Sequence, residues 1–334
     1  MHANSHLCRL RVFGSIAIVF FGVCAALNSQ ELSEPQRIRV ESALVTVPVM
    51  VSDLRGRLLS GLKEDSFRLY QDGMRVPISI FLSSEDPIKI ALLLDTSVST
   101  KTVLGKIKRA ARRFLLQMRP QDLAMVVSFN SEIQVLCPFS SDPQALEDAI
   151  KGAKAGGAMT IMRDAIYEVI RQRLKSASGR KAIVLLTDGQ DHGSRISAPD
   201  LLDAVSTSGT IIYSVFYTVD PRELMKELVG ISSRIPKEAA RRKTGPYAAW
   251  NEREERAAQY LEEISELSAG RFYRSEVTKL DDAFKQISDE LRSQYLIGFY
   301  PDKSKLDGAT HALAVTVSIP DSIVRSRRSY RAVP

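Results

Sequence analysis

Cysteine and tryptophan are nearly absent from this chain of 334 residues, at three and one. Cys8 and Cys24 both fall in the first 30 residues, so a chain processed after that segment keeps Cys137 alone and can form no internal disulfide. Cys137 lies in the run IQVLCPF, which reads as a buried strand position rather than a nucleophile. There is no phosphate-binding glycine loop with a lysine. Nor is there a compact basic tract with interleaved aromatics, so the formal charge of +7 does not point to nucleic acid. The apolar run from Val12 to about Val23 is short of the roughly 20 residues of a stable membrane span.

That run instead completes a secretory leader. Arg9 and Arg11 precede it, the small residues Cys24, Ala25 and Ala26 follow, and cleavage is expected after Ala26. Residues 1–26 are therefore assigned as a signal peptide and 27–37 as a polar linker, and the protein is expected to be exported: periplasmic, envelope-associated or secreted. Two rivals are an uncleaved signal anchor and a lipoprotein modified at Cys24. The bulky Val23 beside that cysteine fits the second poorly. Loss of Arg9 and Arg11 lowers the formal charge from +7 to +5.

The mature chain has ordinary globular proportions, 44% apolar and 25% charged. Residues 38–86 are strand-like, with an Asp72-Gly73 hairpin signal in YQDGMRV. From 87 to 292 strands and helices alternate. Strands are expected at Lys89–Leu94, Leu123–Phe129, Ile133–Phe139, Ala182–Thr187, Thr210–Tyr217 and Gly270–Tyr273. Helices are expected near Val103–Met118, Pro143–Ile150, Arg163–Lys175, Ala198–Thr207, Tyr260–Ser268 and Leu280–Arg292. This rhythm predicts an α/β fold, a doubly wound, mainly parallel sheet with helices on both faces. Residues 293–334 return to strands, at Gln294–Phe299, His311–Ile319 and Ile323–Tyr330. Neither β-rich end has enough strands to close a core, so the two are expected to associate into one accessory β-sandwich. Residues 220–258 interrupt the alternation with nine basic and seven acidic side chains. They are expected to be a solvated loop with helical pieces, with a partner surface around Trp250 as the alternative.

Chemistry concentrates at three places. PIKIALLLDTSVSTKT ends an apolar strand in Asp95, with Ser97 and Ser99 at alternate positions after it. GGAMTIMRDAIY places Thr160 just before a helix, and VLLTDGQD places Asp188 at the end of another apolar strand. In an open α/β sheet, ligands bind beyond the carboxyl ends of the strands. Two carboxylates and three hydroxyls are hard oxygen donors, suited to Mg²⁺ with retained waters, with Mn²⁺ or Ca²⁺ as alternatives. Two negative charges just balance a divalent ion, so a vacant coordination position would welcome a further anion. An Asp or Glu of a protein partner is the natural candidate.

Asp95, Ser97, Ser99, Thr160 and Asp188 resemble the metal-ion-dependent adhesion site of von Willebrand factor type A domains, the fold shared with integrin inserted domains. The flanking stretches VPVMVSDLRGRLLSGLKEDSFRLYQDGMRVPISIF and LRSQYLIGFYPDKSKLDGATHALAVTVSIPDSIVRSRRSY also resemble bacterial exported proteins of the von Willebrand factor type A related family, abundant in acidobacteria. The resemblance implies all five residues as metal ligands, hydroxyls directly and acids often through water. It also implies a metal-dependent protein-binding or adhesion module, not an enzyme. Two departures from the pattern are the charged insertion and the form GGAMT in place of a compact GGT. Anchoring on Asp164 and Ala165 keeps Thr160 at the threonine position.

Other readings of the same residues are weaker. Ser97 and Ser99 could cap a helix, and Asp188 could stabilise a turn. A phosphotransferase using Asp95 as nucleophile needs an acid two residues on, where this chain has Ser97. Asp95 with His192 lacks a serine nucleophile loop. A structural interaction protein with a vestigial metal site is the remaining alternative. The sequence leaves ligand identity and oligomeric state open.

Overall fold

The computed structural model describes residues 44–332, apart from 219, 221, 223–224, 227–229, 231–243, 245 and 246. The expected leader, the linker and much of the 220–258 insertion lie outside the described residues.

Four strands open the described chain: β1 (Val45–Asp53), β2 (Phe67–Gln71), β3 (Met74–Val76) and β4 (Ile80–Leu82). The β2–β3 hairpin turns on Asp72 and Gly73, at φ 49° and 79°. Left-handed backbone at both positions suits the right-handed twist of the strands, which is why Asp-Gly marked the turn in the sequence.

The α/β part follows as β5 (Ile88–Asp95), α1 (Leu104–Leu115), β6 (Leu123–Phe129), β7 (Ile133–Ser140), α2 (Pro143–Gly152) and α3 (Met162–Glu168). It continues through β8 (Arg180–Thr187), α4 (Ala198–Ser208), β9 (Ile211–Tyr217), α5 (Ala248–Leu267), β10 (Arg271–Ser275) and α6 (Leu280–Ser293). The strands form one sheet in the order β10-β9-β8-β5-β6-β7, parallel except for β7. Apolar runs suit this sheet because both of its faces are covered. Ile88, Ile90, Leu92 and Leu94 of β5 join a core with α1, α2 and α6, whereas Ala91 and Leu93 join the core under α3, α4 and α5. Each fully buried leucine contributes about 2 kcal/mol.

Two helices differ from expectation. The segment expected as one helix over Arg163–Lys175 passes from α3 into a π-helical turn at Val169–Arg173. Helix α5 begins at Ala248 rather than Tyr260. Ala257, Ala258, Leu261 and Ile264 recur at helical spacing through its charged sequence and pack in the core under α3, α4 and α5, while Trp250 packs against the other core. Trp250 is thus partly buried against the core.

The chain closes with β11 (Tyr295–Phe299), β12 (Thr310–Val317), β13 (Ser322–Ser326) and β14 (Ser329–Arg331). The single strand expected over Ile323–Tyr330 is therefore two. These strands interleave with the first four in two antiparallel sheets, β13-β1-β11-β4 and β14-β12-β2-β3. Their facing side chains share one core, in which Phe67 lies 5.0 Å from Tyr295, ring centre to ring centre.

Beside this core His311 is held between two acids. Its Nδ1 lies 2.8 Å from Asp72 Oδ2 and its Nε2 3.2 Å from Asp307 Oδ1. The bond to Asp72 raises the imidazole pKa above its usual value, and the same bond first of all draws the Asp72 carboxyl down to about 2. A raised histidine stabilises the fold below its unfolded pKa of about 6.5 and loses that contribution as pH rises through the shifted value. Thermal unfolding from pH 6 to 9 should therefore show a decline in Tm that His311→Gln lacks. Parallel profiles for the two proteins would contradict this assignment.

Candidate metal site

Strand β5 carries Asp95 to the sheet's carboxyl edge, where it is fully buried. Its two oxygens are engaged from different elements. Oδ1 accepts from the Ser97 backbone N–H at 2.9 Å and the Ser97 hydroxyl at 2.5 Å. Oδ2 accepts from the Thr187 hydroxyl at 2.7 Å, at the end of the neighbouring strand β8. The Ser97 and Ser99 hydroxyls are 3.0 Å apart. Ser97 caps nothing with its side chain, and α1 starts without a side-chain cap. The capping alternative is therefore replaced by a hydroxyl pair turned toward the carboxylate.

Asp188 follows Thr187 and is 4% exposed. Its Oδ1 accepts from Gln190 N at 3.1 Å, so the turn role holds for that oxygen, but Oδ2 is buried without a hydrogen-bond partner. An orphaned buried carboxylate oxygen calls for a cause such as an ion. Burial raises the pKa of Asp188, opposed mainly by the Ser99 hydroxyl. Asp95 is raised by burial and then by the charge of Asp188. The two acids thus stand close enough to repel. Tyr217, at the end of β9, is also buried with its hydroxyl unpartnered, and both acids push its pKa further up.

The loop that carries Thr160 is tied to its neighbours by backbone bonds. Gly156 N donates to Thr96 O at 2.9 Å, Met159 N to the Ser131 hydroxyl at 3.1 Å and Ile161 N to Asn130 O at 2.9 Å. His192 N donates to Thr160 O at 3.0 Å, laying this loop along the one that follows Asp188. Thr160 is 4% exposed, and no hydrogen bond joins its hydroxyl to the other four residues. Asp164, the anchor for its placement, accepts from Arg195 N and Ile196 N and fixes the start of α3.

Sequence reasoning missed Thr187. It grips Asp95 through its hydroxyl while the same oxygen accepts from Gly189 N at 2.9 Å. The signal was present in TDG, since a threonine ending an apolar strand beside an acid can orient a neighbouring carboxylate. Thr96 and Thr100, read as loop residues, are fully buried. The Thr96 hydroxyl donates to Phe129 O and the Thr100 hydroxyl to Ser97 O. Asp191 accepts from Arg163 N at 2.9 Å and from Ser194, which makes it a loop organiser.

Residues 89–242 match the family model described as von Willebrand factor type A domain. The chain carries a von Willebrand factor type A domain. Solved structures similar to it include the vWF domain of the type V pili tip protein Mfa5 from Porphyromonas gingivalis, at 12% identity and a TM-score of 0.43, covering 60% of this chain and 94% of that one. BatB from Bacteroides thetaiotaomicron, a conserved hypothetical protein, matches at 21% identity and 0.40, covering 61% and 96%. A von Willebrand factor type A protein from Catenulispora acidiphila matches at 13% and 0.46, covering 88% and 64%. No curated protein matches the sequence.

Among the described residues no group of three or more His, Cys, Asp or Glu side chains is placed to hold a metal. The candidate donor set is of another kind, two acids supplemented by hydroxyls. It fits a hard divalent cation on three counts: oxygen donors only, two buried acids whose repulsion a cation would relieve, and one carboxylate oxygen without a partner. The same geometry serves a nucleophile poorly, because both Asp95 oxygens are occupied and the residue is closed to solvent. His192 bonds Gln190, with Nε2 3.0 Å from Oε1, and so does not form a dyad with Asp95.

Proposed function

We propose that this protein is an exported binding module whose von Willebrand factor type A domain engages a protein partner through a bound Mg²⁺. The observation carrying this reading is the unpartnered Asp188 Oδ2 beside the buried Asp95, at the carboxyl edge of the sheet. Asp95, Ser97, Ser99, Thr160 and Asp188 would hold the ion, with Thr187 orienting Asp95. The ion would supply a positive site for an acidic side chain of the partner. Binding, not turnover, is the role that suits such a platform. Mn²⁺ or Ca²⁺ could substitute through the same hard donors.

Export rests on the leader pattern of residues 1–26, and no helix among the described residues is long and apolar enough to cross a membrane. Division into a β-rich unit (38–86 with 293–334) around the α/β unit (87–292) is part of the same proposal. The strands of the two ends share a core, which supports it.

Capture from an envelope extract tests partner and ion together. Partner proteins retained on immobilised protein in 5 mM Mg²⁺, on the order of ten times a weak site's Kd, should be released by EDTA and recaptured when Mg²⁺ is restored. Retention indifferent to EDTA would contradict the metal-bridged reading.

A further inference from the structure

At the opposite end of β8 from the candidate metal site lies a cavity of about 540 Å³ between the helices and the β-rich sheets. Lys181, on its wall, and Asp188 are seven residues apart along an extended strand, roughly 23 Å at the usual rise. The two sites are therefore separate.

The lining combines cations with apolar surface. Arg171, Lys175, Lys181, Arg327 and Arg331 line the cavity, and no Asp or Glu does. Arg331 is paired outward, its Nη1 2.9 Å from Asp203 Oδ1. None of the other four has an acidic partner among the described residues. Arg327 is the most constrained, at 3% exposed. Its Nη1 donates to Ser206 O at 2.7 Å, but its Nε is buried with no partner. Lys181 reaches only the Leu174 carbonyl, at 3.4 Å. Burial lowers the pKa of both, and Arg327 adds to the lowering at Lys181. The wall thus carries an excess of positive charge that no acid on it offsets, and such uncompensated charge marks a place for an anion.

The rest of the wall is apolar, including Val45, Leu82, Ile170 and Leu296. The π-helical turn contributes here, since Leu174 N bonds Val169 O across five residues and the widened turn brings Ile170 and Arg171 to the cavity wall. Such turns are frequent at binding sites. A small hydrated anion would satisfy the cations but waste this surface. The volume also lies within the usual range of sites for small organic ligands.

We propose that this cavity binds an organic anion with an extended apolar body, of the long-chain carboxylate class, its head group on Arg327 and Lys181 and its chain along the apolar wall. Titration calorimetry of the full chain with dodecanoate, in EDTA so that no metal site contributes, tests it. One-to-one binding is expected, weakened at least about tenfold for 1-dodecanol and in Lys181→Met, a loss of roughly 1.4 kcal/mol. Arg327→Met is the more severe probe, but it breaks the Ser206 bond, so Lys181→Met, which loses only the long bond to Leu174 O, decides, with circular dichroism checking that the variant is folded. Absence of dodecanoate binding, equal affinity for 1-dodecanol, unchanged affinity in Lys181→Met, or displacement by equimolar inorganic phosphate would overturn the proposal.

Discussion

Asp95→Ala should abolish the response to divalent cations while leaving the far-ultraviolet circular dichroism nearly unchanged. The two acids supply the whole negative charge of the site, and with Asp95 gone Asp188 alone faces the ion. Removing an orienting partner of a metal ligand commonly costs about 10 to 100-fold in affinity, and removing a ligand that is also a charge should exceed about 100-fold. The fold has less at stake. In the absence of metal, Asp95 is held beside a like charge at the cost of burial, so alanine removes an unfavourable electrostatic contribution together with three hydrogen bonds from Ser97 and Thr187. In thermal unfolding, Mg²⁺ should raise the Tm of the parent protein, and that shift should vanish in the variant. A variant that keeps the shift would place the ion elsewhere.

Arg180→Ala should have the largest effect on stability, at a residue far from function. Arg180 is 1% exposed, and its guanidinium binds only carbonyls: Ser84 O at 3.0 Å, Asp86 O at 2.5 Å and Leu291 O. Burial depresses its pKa to about 10. These carbonyls lie where the chain enters the central sheet before β5 and leaves it at the end of α6, so one side chain ties both crossings. Arg119 reinforces the junction through Ser84 O at 2.8 Å and Arg292 O at 2.9 Å. Alanine leaves these buried carbonyls without their donor, at about 1–3 kcal/mol for each one left unsatisfied, against a typical total of about 5–15 kcal/mol. Urea unfolding should show a midpoint lowered accordingly. Arg180→Lys, which keeps the charge but lacks the planar fork, should recover only part of the loss. An unfolding free energy within about 0.5 kcal/mol of the parent, the range of an ordinary surface substitution, would contradict the junction's role.

The elements legible in the sequence were those whose signal is local. The apolar run before Asp95, the Asp-Gly hairpin and the alternation of strand and helix each carry their cause within a few residues. The interleaving of both chain ends into two sheets was legible only by counting strands that could not close a core alone. What local signals could not reveal was tertiary. Thr187 lies beside Asp188 in the chain but serves Asp95, 92 residues away. The true start of α5 was hidden because charged residues fill the positions between Trp250, Ala257 and Leu261, and only tertiary packing shows each of them turned to a core. Arg180 fell outside the strand expected over Ala182–Thr187 and carried no signal, because its partners are backbone carbonyls without sequence signature. The five candidate ligands were legible by type and order. The structure adds the gripping hydroxyls and the one carboxylate oxygen left without a partner.

Titration calorimetry of Mg²⁺ into metal-free protein, run beside Asp95→Ala, tests the central claim most directly. One ion per chain bound by the parent protein and none by the variant is the predicted result. No heat of binding to the parent protein, or equal binding to both, would contradict it.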